Sequence, residues 1–235
     1  GIRIRDLGKV NVGADILQVE GLQLGKKYSG AADLSKKDKW TARGNASVLK
    51  VNGNSPSIFV RHKTYLSKTL GEYSAVFNDE HEWNRKYSSD GDSLLKDAYR
   101  FYDWQGSIGT TDTVKRALRI HYRQRFEQRS DSMTIVPASY AEQYGVTSRI
   151  QWSEGNHVGV NAANRRLQII RTDLLNTAPE NTLVGRVDQA LRVFKGGIVT
   201  ATFYEVSSGL EARRSFFYSE VAPGQGTHIW VDYNG

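Results

Sequence analysis

The densest concentration of chemistry in the chain lies between residues 115 and 129, where Lys115, Arg119, His121, Arg123, Arg125 and Arg129 all fall at odd positions. On a β-strand, residues two apart share a face and stand about 7 Å from one another, close to the spacing of successive phosphates or sugar acids. Lys115, Arg119, Arg123 and Arg125 are therefore the candidate polyanion-binding residues. The plain structural reading of the same row is a charged face balanced by carboxylates, with Glu127, Glu142 and Glu154 available. His121, flanked by Arg119 and Arg123, is a poor divalent-metal ligand because its neighbours repel a cation.

Other groupings are weaker. Asn78 to Trp83 carries Asp79, Glu80 and Glu82 around His81, a set suited to acid–base work or metal binding. Arg85 stands where a zinc-peptidase motif needs its second histidine, so the segment reads as a solvated loop. His62, His157 and His228 are widely spaced. Gly224-Gln225-Gly226 lacks the third glycine and the following helix of a dinucleotide fingerprint and reads as a turn. No Gly-x-Ser-x-Gly elbow is present. The five tryptophans could form sugar platforms or an interfacial belt, with core or girdle packing as the simpler role. With no cysteine there is no disulfide, thiolate site or cysteine nucleophile. No catalytic residue is assigned, and the chain reads as a non-enzyme; a surface glycan hydrolase is the enzymatic alternative, because carboxylate pairs are brought together only by the fold.

The elements that would position these groups are strands. From Val114 to Phe126 the even positions are mainly apolar and the odd ones mainly cationic, the two-residue period of a strand. Similar alternation runs through Val146–Ser153, His157–Val160, Leu183–Phe194, Ile198–Val206 and Ala212–Val221, with turns at Glu154-Gly155-Asn156, Lys195-Gly196-Gly197 and Ser207-Ser208-Gly209. Consecutive runs joined by glycine-bearing turns predict a meander. Strands are also predicted over 16–24, 41–51, 57–61 and 72–77, with turns at Gly25-Lys26-Lys27 and Asn52-Gly53-Asn54. The polar stretch 78–113 is predicted as a long loop or insertion with a short helix over 93–102, and 138–144 as a helical turn.

The fold class is thus all-β, a long antiparallel meander forming part of a β-barrel or a large β-sandwich, with 1–235 a single β-rich unit. In a membrane barrel the apolar face meets lipid; in a sandwich it meets a core. Strand length favours the barrel. Arg116 and Arg214, among otherwise apolar positions, argue against it, since an arginine at a bilayer midplane costs roughly 2–4 kcal/mol. A net charge of +7 accommodates an anionic partner; glycan or lipopolysaccharide is expected, nucleic acid is not.

The C-terminal stretch, Tyr204-Glu205, Ser208-Gly209-Leu210-Glu211, Phe217-Tyr218 and Val221 through Gly235, ends in Gly-Gln-Gly, aromatic residues and Asp232-Tyr233-Asn234-Gly235. It resembles segments of very large outer-membrane and cell-surface β-proteins of the Bacteroidetes, the setting of gliding-motility and type-nine secretion translocons. The resemblance implies a fragment of a larger protein, located in the outer membrane or at the cell surface, with the periplasm as the alternative. It also implies, as partners, other segments or subunits of an envelope assembly, and a non-catalytic structural role in a transport or secretion pore. The competing reading is a soluble carbohydrate- or polyanion-binding β-sandwich. Asp232 and Asn234 resemble the opening of a calcium loop, with an Asx-turn as the alternative; no other cofactor is expected. Asp92-Ser93-Leu94, Asp112-Thr113-Val114 and Asp131-Ser132-Met133 resemble the short O-glycosylation sequence of exported proteins of that phylum.

Overall fold

In the computed structural model, residues 1–19, 23–53, 56–112 and 115–208 are described. They form one sheet of twelve strands in sequence order: β1 (Ile2–Ile4), β2 (Gly8–Val19), β3 (Gln23–Lys36), β4 (Trp40–Gly53), β5 (Ser57–Leu70), β6 (Tyr73–Lys86), β7 (Tyr99–Thr110), β8 (Arg116–Ser130), β9 (Ile135–Ser153), β10 (Asn156–Ile169), β11 (Glu180–Val193) and β12 (Ile198–Ser208). Each strand pairs antiparallel with the next. Among the described residues no second sheet packs on this one, so the layered core of a sandwich is absent and the meander is the fold.

Successive connections alternate between the two ends of the sheet. At the first end they are short and turn on left-handed backbone at Asp6 (φ 59°), Asp38 (φ 56°), Gly71 (φ 64°) and Gly155 (φ 78°), as tight hairpins require. A single 3-10 turn, Phe194–Gly196, closes the last of them. The two longest connections, 87–98 and 170–179, lie at the second end. There the 87–98 loop is held by the N–H of Leu95 on the Lys86 carbonyl (2.9 Å) and that of Leu94 on the Ser132 carbonyl (3.0 Å). Leu94 and Ala98 are buried beside it, with Phe101 and Ala138, the small core that the described residues contain.

Several expected elements are corrected. Residues 78–113 are not a long loop: 78–86 complete β6, 99–110 form β7, and only 87–98 connects them, with no helix over 93–102. Their polar residues concealed the strands because both faces are polar at this end. Residues 138–144 are not a helical turn but lie within β9, which is 19 residues long. Gly25, Lys26 and Lys27 do not turn the chain; they pair in register with Leu17, Ile16 and Asp15. The 16–24 strand is instead broken, β2 ending at Val19 and β3 starting at Gln23. The Ala212–Val221 strand, Arg214 and the C-terminal resemblance lie outside the described residues.

Because directly opposed residues share a face, the register assigns every strand position to one of two surfaces. One carries Val12, Ile16, Tyr28, Phe77, Ile108, Ile120, Val146 and Trp152; the other carries Lys63, Glu80, Asp103, Arg123, Arg165 and Glu180. Exposure differs between them. Phe101, Asp103, Ser107 and Ser139 are buried on the polar face and His81 on the other, at the long-loop end, whereas Val12 and Ile16 on the apolar face are 80% and 74% exposed. On the polar face the His121 ring lies over Gly145, and the Asp188 carboxylate would stand 2.7 Å from a Cβ at Gly159. This crowding is what a sheet curving toward its polar face produces.

Candidate functional site

The polar face of β5 to β8 is a continuous charge network. Lys63 and Arg61 on β5 reach Glu80 on β6 at 2.8 and 3.2 Å, and Arg61 also faces Glu82 at 3.3 Å. Glu82 accepts the hydroxyl of Tyr99 on β7. Two positions further along the same face of β7, past Phe101, Asp103 takes a bidentate pair from Arg123 of β8, Nε–H to Oδ1 at 2.8 Å and a terminal N–H to Oδ2 at 2.6 Å, plus Arg125 at 3.3 Å. The fork geometry matches guanidinium to carboxylate. Arg125 also covers the Phe101 ring, 4.0 Å from its centroid, and Arg129 pairs with Glu127. Further round the sheet, Arg165 and Glu180 (3.7 Å) and His157 and Asp188 (3.4 Å) continue the pattern.

The predicted cationic row is therefore assembled in part. Arg119, His121, Arg123 and Arg125 share the polar face of β8. Lys115 does not join them: it precedes β8, and its backbone N–H bonds Asp112 Oδ1 at 3.2 Å. Of the expected balancing carboxylates Glu127 does pair with Arg125 (3.8 Å) and Arg129, while Glu142 lies on the opposite face and Glu154 is in a hairpin turn; the further one, Asp103, was hidden in the supposed loop. Arg119 makes no ion pair among the described residues and donates to Ser107 Oγ at 3.3 Å. The 78–83 cluster is split by the pleat, Asp79 and His81 on one face and Glu80 and Glu82 on the other. No group of three potential ligands that could hold a metal occurs among the described residues, and Asp232 and Asn234 lie outside them.

The apolar face is organised along the strand axis. On β8 it reads Arg116, Leu118, Ile120, Tyr122, Gln124, and on the adjoining β9 Trp152, Ile150, Ser148, Val146, Tyr144, Glu142. Aromatic rings border this stretch at the long-loop end: Phe77 stacks on Trp104 (6.3 Å), Trp104 meets Tyr122 edge-on (5.2 Å), and Tyr122 contacts Tyr144 (4.8 Å). Their polar atoms point into a hydrogen-bonded row, with the Trp104 indole N–H on Gln124 Oε1 (2.8 Å), the Gln124 amide on the Tyr140 hydroxyl (2.5 Å), and that hydroxyl on Glu142 (3.3 Å). Trp40, Tyr73 and Trp152 stand at the short-turn end. Arg116, expected as an intruder in the apolar surface, is the first residue of β8 and sits at its margin.

No family model matches the chain, and no curated protein is similar to it at a meaningful level. Among solved structures it is similar to the translocator domain of the autotransporter NalP from Neisseria meningitidis, at 12% identity over 85% of this chain and 80% of that one, with a TM-score of 0.28.

Proposed function

We propose that the sheet is the wall of an outer-membrane β-barrel, its apolar face toward lipid and its polar face lining an aqueous interior, and that its role is passage or secretion rather than catalysis. The observation that carries this reading is the aromatic-bordered apolar band on one face set against ion-pair networks on the other, the arrangement that bilayer-spanning strands require. Its dimensions fit. From Arg116 to Gln124 the strand rises about 27 Å, which at a tilt of about 40° is about 21 Å along the membrane normal, against an apolar band of about 25 Å. A strand of 14 residues, such as β6, is about 48 Å long and extends past the bilayer at the long-loop end. That accounts for Asp79, His81 and Arg85 on the same face as Phe77.

The test is to refold the purified chain with and without phosphatidylcholine vesicles. A β-sheet spectrum that depends on lipid, heat-dependent gel mobility and quenching of tryptophan by brominated acyl chains are expected. A folded, monomeric chain soluble without any amphiphile would overturn the reading.

A further inference from the structure

We propose that Trp83, Arg85 and Arg100, at the long-loop end of the apolar face, form a binding site for the phosphate of an anionic lipid; the inference rests on the membrane reading above. Trp83 lies directly opposite Arg100 in the β6–β7 register, and Arg85 is two residues further along the same face. Both guanidinium groups converge on one indole, Arg85 at 4.1 Å and Arg100 at 5.4 Å from its centroid, and Arg100 also lies 4.6 Å from the Tyr102 ring. Neither arginine makes an ion pair among the described residues, although thirteen other pairs form there.

The carboxylate that β6 carries on this face is engaged: Asp79 holds His62 at 2.5 Å. Arg100 spends its Nε–H on His81 (3.2 Å), leaving its terminal N–H groups, while the Arg85 Nε is buried without a partner. Two cations drawn to one ring with no balancing carboxylate leave a shared need for an anion, and guanidinium forks suit the oxygens of a phosphate.

Depth and surroundings select a lipid over a free ion. Arg100 is four residues from Trp104 along β7, about 14 Å on the strand and about 10 Å along the normal at a tilt of about 40°. Headgroups occupy roughly the 5–8 Å beyond the hydrocarbon on each side, so with Trp104 at the interface the Arg100 backbone stands just past the phosphate layer, and its guanidinium, against Tyr102 and His81, reaches back toward it. On the other side of Trp104 the same face opens into a groove lined by Ala75, Gly106, Ile108, Ile120 and Tyr144, and nothing lies within 4 Å of where a Gly106 Cβ would stand. Anion-binding groups above an acyl-sized groove describe a site for an amphiphile.

The full chain would be folded into phosphatidylcholine vesicles with increasing phosphatidic acid, and its urea midpoint followed. Phosphatidic acid is expected to raise the midpoint of the unaltered chain and of a Lys27→Gln control on the polar face. The Arg85→Gln/Arg100→Gln variant should require roughly tenfold more of that lipid, or lose the effect, the loss expected when charge-assisted bonds are removed. Inorganic phosphate added to pure phosphatidylcholine vesicles should not reproduce it. Equal stabilisation of the double variant, or full reproduction by inorganic phosphate, overturns the lipid site while leaving the membrane reading intact. Failure of the unaltered chain to enter phosphatidylcholine vesicles overturns both. If the double variant does not fold, the single variants decide: each must weaken the lipid response, and an unchanged response in both rejects the site.

Discussion

Asp103 is the residue on which the polar face turns. Its carboxylate, nearly buried, receives two arginines from the neighbouring strand. Truncation by Asp103→Ala leaves Arg123 and Arg125 without their shared acceptor. A loss of about 1–2 kcal/mol is expected from the urea midpoint of the lipid-folded chain, toward the lower end because both arginines are part-exposed. Asp131 does comparable work outside the sheet, in the turn between β8 and β9. Its carboxylate accepts the backbone N–H of Thr134 (2.8 Å) and Met133 (3.0 Å), and those bonds lower its pKa. The sign follows: a carboxyl more acidic in the fold contributes stability above its unfolded value, near pH 4, that is lost as the pH falls through the folded value. Amide exchange at Thr134 should therefore lose protection below about pH 4, and Asp131→Ala should show the low-pH behaviour at neutral pH. Unchanged Thr134 exchange in that variant would reject the assignment.

At the scale of the strand, alternation made β8, β11 and β12 legible in the sequence, with the second half of β9 and the start of β10, since Leu118, Ile120 and Tyr122 alternate with Arg119, His121 and Arg123. It failed at β7 for a physical reason. Tyr99, Phe101 and Asp103 share the polar face while Arg100, Tyr102 and Trp104 share the other, so aromatic and charged residues occur on both and no binary pattern survives. The Asp103–Arg123 pair was illegible for the same cause: one partner was seen and the strand carrying the other was not. The band itself yields a sharp expectation. Ile120→Arg, in the middle of the apolar stretch, should cost roughly 2–4 kcal/mol in vesicles. The same substitution at Gln128, on that face but beyond the aromatic row, should cost within about 1 kcal/mol, as positions near or past the interface do. Equal costs at both sites would argue that no bilayer distinguishes them.

For the whole molecule, the polar face combines paired and unpaired cations. Arg119 and Arg149 make no ion pair among the described residues, and both stand on the surface assigned to the interior. Current through the chain in planar bilayers should accordingly favour anions, and Arg119→Glu/Arg149→Glu should move the reversal potential toward cation preference. An unmoved reversal potential would separate these residues from any conducting path. The two ends of the sheet also differ in how freely their sequence can drift. A tight hairpin at Glu154-Gly155, with Gly155 at φ 78°, admits almost no change in length, because an added residue shifts the register of β9 on β10 and turns every side chain to the wrong face. The 87–98 connection has no such constraint at its tip, where Asp90 and Gly91 are exposed. An epitope tag grafted after Asp90 should be displayed on a folded chain, while the same tag after Glu154 should abolish assembly. Variation in length and grafting therefore belong to one rim of this protein, and invariance of length to the other.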